Sequence, residues 1–191
     1  MTSDEALMLE FQGGSRAAFE ELFARYRKQL YGFFGRRLNN PERAEDLAQE
    51  TFLAVIRAAS RYEPRASVRT YLYGIALKLL AAERRKFLTS STFGQSASEP
   101  KTDGTPERVL WVRQAIEKVD AQEREILMLR EYEQLSYSDI AELLRIPVNT
   151  VRSRLFRSRL ALKNYLESEA RNNSGLRPST GQPHPRRRGM Q

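Results

Sequence analysis

The 191-residue sequence contains no cysteine and a single histidine, His184. Without cysteine there are no disulfides and no thiolate chemistry, and the chain suits a reducing compartment. One histidine in a polar stretch excludes histidine-based acid–base catalysis and clustered metal ligation. No apolar run approaches the ~20 residues needed to span a bilayer. The opening MTSDEALMLEFQGG is acidic and lacks the pattern of a signal peptide. The expectation is a soluble cytoplasmic protein with no catalytic residue, cofactor, metal site or small-molecule substrate.

What the chain does have is positive charge, placed unevenly. Its formal net charge is +8. Residues 145–166 hold Arg145, Arg152, Arg154, Arg157, Arg159 and Lys163 and no acid. Residues 109–144 hold four basic and eight acidic residues. Lightly charged folded parts and a basic tail suit a polyanion-binding protein that also touches other proteins.

The stretch LSYSDIAELLRIPVNTVRSRLFRSRLALKNYL (135–166) carries the most information. Ser136 is a candidate N-cap, with Ile140, Leu143 and Leu144 as the apolar side of a short helix. Pro147 interrupts that pattern and suits the start of a second helix, about Val148 to Leu166. Two helices so closely joined predict a helix-turn-helix. At roughly 100° per residue, Val151, Leu155, Ser158, Leu162 and Tyr165 face inward. Asn149, Arg152, Ser153 and Phe156 face the other way, near the helix start. A helix in the major groove reads bases with such residues and holds phosphates with flanking cations. The alternative is a solvated basic face on a helical bundle.

The first half also reads as helical. Gly13-Gly14-Ser15 breaks residues 5–38 into two helices, the second with Phe19, Leu22, Phe23, Tyr26, Leu30, Phe33 and Phe34 at core spacing. The next helix, about Pro41 to Ser60, has an inward stripe of Leu47, Thr51, Ala54, Val55 and Ala58. Phe52 and Ile56 lie on another side, beside Gln49 and flanked by Asp46 and Glu50. Two apolar faces mean burial on both or an exposed partner site. A helix after Ser67 begins with Tyr71 and Tyr73 and ends with Arg84, Arg85 and Lys86. Core tyrosines and a charged helix end explain it, and so does stacking on single-stranded nucleic acid.

Residues 87–108 are rich in Ser, Thr, Gly and Pro and read as a flexible linker. Beyond it, Val109, Leu110, Val112 and Ile116 mark one helix, and Asp120 caps another with Ile126, Leu127 and Leu129 facing in. Residues 168–191 read as a disordered basic tail ending in Arg186-Arg187-Arg188.

In these places the chain resembles a bacterial RNA polymerase sigma factor of the extracytoplasmic-function (ECF) group. AFEELFARYRKQLYGF (18–33) resembles the start of that family's first domain, and AEDLAQETFLAVIR (44–57) its polymerase-binding helix. RYEPRASVRTYLYGIA (61–76) resembles the segment that engages the minus-ten promoter element, and EREILMLREYEQLSYSDIAELLRIPVNTVRSRLFRSRLAL (123–162) the domain that reads the minus-thirty-five element. The resemblance implies an all-α protein: a first domain at 5–86, the linker at 87–108, a helix-turn-helix domain at 109–167, then the tail. It implies that Asp46, Gln49, Glu50, Phe52, Leu53 and Ile56 meet core polymerase. Tyr62, Arg65, Ser67, Arg69 and Tyr71 would lie at the minus-ten element. Asn149, Arg152, Ser153, Phe156 and Arg157 would serve the minus-thirty-five element, with Tyr137 near phosphate. The implied partners are core RNA polymerase, promoter DNA and an anti-sigma factor, often at the membrane.

The chain departs from the family pattern in places. Lys78 and Ala82 replace the usual Asn and Asp, and Arg145 stands where the turn often holds Gly. A left-handed backbone at a non-Gly residue costs about 1 kcal/mol or more. A stand-alone helix-turn-helix regulator would need a dimer face, and a polymerase- or anti-sigma-binding decoy would not need Arg152, Ser153 and Phe156.

Overall fold

A computed structural model of the chain describes residues 2–38, 40–64, 66–91 and 107–174. These form eight α-helices and one 3-10 turn, with no strand among the described residues. In order they are α1 (Asp4–Gln12), α2 (Arg16–Gly35), α3 (Pro41–Ala58), the 3-10 turn Ala59–Arg61, α4 (Val68–Ser91), α5 (Glu107–Glu117), α6 (Ala121–Glu131), α7 (Tyr137–Leu144) and α8 (Val148–Ser174). The fold is all-α, as expected.

Local chemistry sets the helix starts. Ser3 and Ser15 hydroxyls accept from Ala6 N and Ala18 N, at 3.1 and 3.3 Å. Asn40 Oδ1 accepts from Arg43 N at 2.9 Å, with Pro41 in the first turn, where its missing N–H costs nothing. Ser67 Oγ accepts from Thr70 N at 3.1 Å, and Asp120 Oδ1 from Gln122 N at 2.9 Å. Gly14, at φ +97°, makes the turn between α1 and α2 in a backbone that L side chains rarely adopt.

The core of the first half is aromatic. Phe33 and Phe34 meet edge to face at 5.0 Å, and Tyr73 from α4 lies 5.4 Å from Phe33. Leu22, Tyr26 and Leu30 complete the buried stripe of α2. In the second half Ile126, Leu129, Ile140, Val151 and Leu155 are buried, and one continuous cluster runs between the halves. In α5, Ala115 is buried and Val112 and Ile116 are half-buried, and Val119 is buried just after the helix; the side chains of Val109 and Leu110 lie outside the described set.

Two helices outrun their expected ends. The α4 helix passes residue 86 to Ser91, into the expected linker, because no Gly or Pro interrupts the chain before Gly94. The α8 helix passes Leu166 to Ser174, into the expected tail. Glu167 bridges to Lys163 at 3.7 Å and to Arg171 at 3.9 Å, both at helical i,i+4 spacing, and the next Gly is Gly175. Residues 92–106 and 175–191, with Arg186 to Arg188, lie outside the described residues. Among the described residues no helix is long and apolar enough to cross a membrane, and no group of His, Asp or Glu is placed to hold a metal ion.

Candidate nucleic-acid and protein interfaces

The α7–α8 pair forms a helix-turn-helix. Ser136 and Asp139 make a reciprocal capping box: Asp139 N donates to Ser136 Oγ at 3.0 Å and Ser136 N donates to Asp139 Oδ2 at 2.9 Å. The turn leaves α7 through Arg145 at φ 53°, ψ 47°, the left-handed region. Val151, Leu155 and Ser158 are fully buried, and Leu162 and Tyr165 half-buried. The Ser158 hydroxyl is satisfied by Leu155 O at 2.9 Å. Asn149, Arg152, Ser153 and Phe156 all face solvent, Phe156 at 68% exposure. An exposed phenylalanine beside an arginine suits a base edge, since Phe meets the thymine methyl and Arg the guanine acceptors.

The flanking cations are partly engaged. Arg157 pairs with Glu123 at 2.6 Å and Arg159 with Glu131 at 2.6 Å, tying α8 to α6. Tyr137 is half-buried under the Arg130 guanidinium, 5.2 Å from the ring centre. Among the described residues Arg152 reaches Asn149, at 3.5 Å.

At the start of α4, Tyr62 and Tyr71 meet at 5.3 Å with planes 65° apart. Tyr62 is 5% exposed, so its ring supports Tyr71 rather than standing out as a separate stacking face. Its hydroxyl finds no hydrogen-bond partner among the described residues. Ser67 serves as the helix cap, and Arg69 is half-buried near the Tyr26 hydroxyl. Arg65 lies outside the described residues. The α7 helix closes over this face. Tyr62, Thr70 and Tyr71 line one side of a cleft of about 740 Å³, and Leu143, Leu144 and Arg145 the other.

On α3 the two-faced pattern resolves unevenly. Phe52 is a correction: it is 5% exposed and packs on Phe19 at 6.2 Å and Phe23 at 4.7 Å. The α2 aromatics cover most of its ring, and what is left lines the groove beside Gln49 rather than offering a free surface contact. Leu53 and Ile56 do, at 47% and 45% exposure, with Gln49 and Asp46 exposed nearby. Glu50 is held by Arg43 at 3.1 Å, and Arg43 also clasps Glu83 of α4 through two 2.8 Å bonds. That clasp keeps the Glu83 carboxyl below the usual carboxylate range. Beside Gln49, a shallow groove is lined by Phe23, Arg27 and Tyr31. Phe23 and Tyr31 are exposed, although Phe23 reads as core in the sequence. The i,i+4,i+8 run Phe23, Arg27, Tyr31 was the available signal for a second face on α2.

This geometry matches known proteins in both halves. The family described as Sigma-70 region 2 matches residues 22–86, and Sigma-70 region 4 matches residues 110–162. The RNA polymerase sigma-H factor of Pseudomonas aeruginosa is 33% identical over 181 residues, covering 86% of this chain and 94% of that protein. The RNA polymerase sigma factor YlaC of Bacillus subtilis is 32% identical over 161 residues, covering 79% and 93%. The ECF RNA polymerase sigma-E factor of Haemophilus influenzae is 29% identical over 182 residues, covering 86% and 96%. Among solved structures, CnrH in complex with the cytosolic domain of CnrY shares the fold at TM-score 0.65 and 23% identity, over 87% of this chain and 99% of that one. Bartonella quintana RpoE, solved with the anti-sigma factor NepR, shares it at TM-score 0.64 and 23% identity, over 78% and 96%.

Proposed function

The chain belongs to the sigma-70 family, in its extracytoplasmic-function group, and on that premise we propose how its surfaces divide the work of promoter recognition. The first half, residues 5–86, binds core RNA polymerase through the exposed Leu53, Ile56, Gln49 and Asp46 of α3, with the α2 groove beside them. The start of α4 takes the minus-ten element. Flipping a base costs a few kcal/mol, which stacking at about 1–3 kcal/mol per base offsets. Tyr71, braced by Tyr62, is the ring placed for it. The second half, residues 109–167, carries α8 to the minus-thirty-five element: Arg152, Ser153 and Phe156 meet base edges, and Asn149, Arg157 and Tyr137 the backbone around them.

The observation that carries this reading is the outward quartet on α8, joined in one chain to a region 2 match that includes α3 and α4. A decoy that only occupied polymerase would have no use for the quartet. The chain supplies recognition and duplex opening, the polymerase supplies the chemistry, and the place of action is the cytoplasm. Structural relatives solved with anti-sigma partners support a regulator of that kind here.

The test is promoter melting. Core polymerase with this chain makes thymines of a promoter fragment reactive to permanganate, and core alone does not. Polymerase binding without melting would favour the decoy.

A further inference from the structure

The region 2 match begins at residue 22 and leaves α1 outside it, yet α1 holds both ends of the loop that precedes α4. Gln12, the last residue of α1, donates from Nε2 to Ser60 O at 3.3 Å and to Tyr62 O at 3.2 Å. Glu5, in the first turn of α1, accepts from Val68 N at 3.2 Å. Val68 opens α4, so its N–H has no partner within its own helix. The carboxylate supplies one and suits the positive end of the helix dipole. Beside it, Ser67 Oγ takes the Thr70 N–H.

We infer that α1 is a positioning element for minus-ten recognition: Glu5 and Gln12 pin the two ends of the loop 62–67 and so set Tyr62 and Tyr71 for the flipped base. The inference rests on the promoter reading proposed above.

Three observations carry it. The first is spacing. Glu5 and Gln12 are two helical turns apart on one side of α1, about 10 Å along its axis. A helix bridges that gap as a stiff rod, so α1 fixes the separation of the loop's two ends. The second is that α1 is seated independently of these two residues. Leu7 and Met8 are buried, Phe11 meets Phe19 at 4.8 Å, and Asp4 takes Arg25 at 2.6 Å and the Tyr26 hydroxyl. Losing the loop contacts therefore leaves the helix in place. The third is that the contacts reach the rings. Gln12 holds the carbonyl of Tyr62, and Tyr62 braces Tyr71 at 5.3 Å. Burial first, and then the nearby Glu5 carboxylate, push the Tyr62 hydroxyl above its ordinary range. A loop already held in its bound form needs no ordering when the base arrives, so less of the stacking energy is consumed.

Glu5→Ala with Gln12→Ala in the full-length chain tests this. With core polymerase, on the promoter fragment of the permanganate assay, melting should fall roughly tenfold, as expected for losing three hydrogen bonds each worth a factor of a few. Polymerase affinity and the thermal midpoint should stay near wild type. Abasic sites walked through the minus-ten element give the readout that simple destabilisation does not move. Wild type should melt the template lacking the flipped base far less well than the intact one, and the double variant should show that preference reduced several-fold. A chain that is only less stable melts both templates less, in the same ratio. Glu5→Gln keeps an acceptor for Val68 N and should restore most of what Glu5→Ala loses. Full melting by the double variant overturns the inference, and so does an unchanged ratio. If the wild-type chain itself melts no promoter, the promoter reading fails and the inference falls with it. Amide exchange in the free chain is a second arm: the Val68 N–H should exchange several-fold faster in Glu5→Ala, with the core amides of α2 unchanged. An unchanged Val68 rate overturns the inference even where the promoter reading stands.

Discussion

Arg37 and Glu133, 96 residues apart in sequence, form a 3.2 Å ion pair with both side chains 1% exposed. Breaking a buried pair from one side leaves a charge stranded, at about 3–5 kcal/mol. Arg37 keeps Glu125 at 3.0 Å, so Glu133→Leu should cost up to, and not beyond, that order of stability in denaturant unfolding. Adding Arg37→Met should recover most of it. A double variant as unstable as the single would mean the pair is not the source of the loss.

Arg145 holds a left-handed backbone, φ 53°, without the freedom of glycine. Arg145→Gly relieves the strain and should stabilise the chain by up to about 1 kcal/mol, net of the entropy that glycine adds to the unfolded state. Thermal unfolding reads the shift. A fall in midpoint would show that Arg145 makes contacts worth more than the strain.

Phe52 and Ile56 separate packing from partner binding on one helix. Phe52→Ala empties a site between two aromatic rings and should cost about 3–5 kcal/mol in folding stability. Ile56→Ala, at an exposed position, should leave stability within about 0.5 kcal/mol and weaken polymerase binding. Loss of fold in the Ile56 variant, or unchanged polymerase affinity, would remove α3 from the proposed interface.

The Glu83–Arg43 clasp sets an acid limit. The Glu83 carboxyl is held low mainly by its hydrogen bonds to Arg43, against a burial effect in the other direction. A carboxyl lowered in the folded state stabilises above its unfolded pKa, roughly 4.3, and loses that contribution as pH falls through the folded value. The stability difference between wild type and Glu83→Gln should be full at neutral pH and vanish in acid. At the alkaline end, burial and the bond to Asp4 push Tyr26 up to about 12. Its contribution is present below pH ~10 and is lost as pH rises through the folded value. Burial also raises Tyr73, so tyrosine absorbance should show more than one late-ionising group, and Tyr26→Phe should remove one of them.

Arg152→Ala should cost about 1–3 kcal/mol on promoters with the preferred minus-thirty-five base and little on others, if the guanidinium makes a bidentate base contact. Equal losses on all sequences would reassign Arg152 to phosphate.

Much of the fold was legible because its signals are local. Ser15, Ser67, Asp120 and Ser136 all cap helices as their spacing predicts, and the inward stripe of α8 is buried where angular arithmetic puts it. The outward quartet was legible for the same reason. What was not legible depends on partners distant in sequence. Phe52 and Ile56 share a side of α3, and only the α2 aromatics decide that one is covered and the other bare. The pairing of Arg36 and Arg37 carries no local signal, since nothing near them in sequence points to Glu125 and Glu133. Helix ends at Ser91 and Ser174 were missed because FLTSS (87–91) and ESEARNNS (167–174) carry no apolar period at helical spacing.

The most direct measurement is run-off transcription. The purified chain and bacterial core polymerase are mixed on a pool of genomic promoter fragments, with core alone as control. The account predicts discrete starts that appear only with this chain and share two upstream elements. Tight polymerase binding with no new start would contradict it.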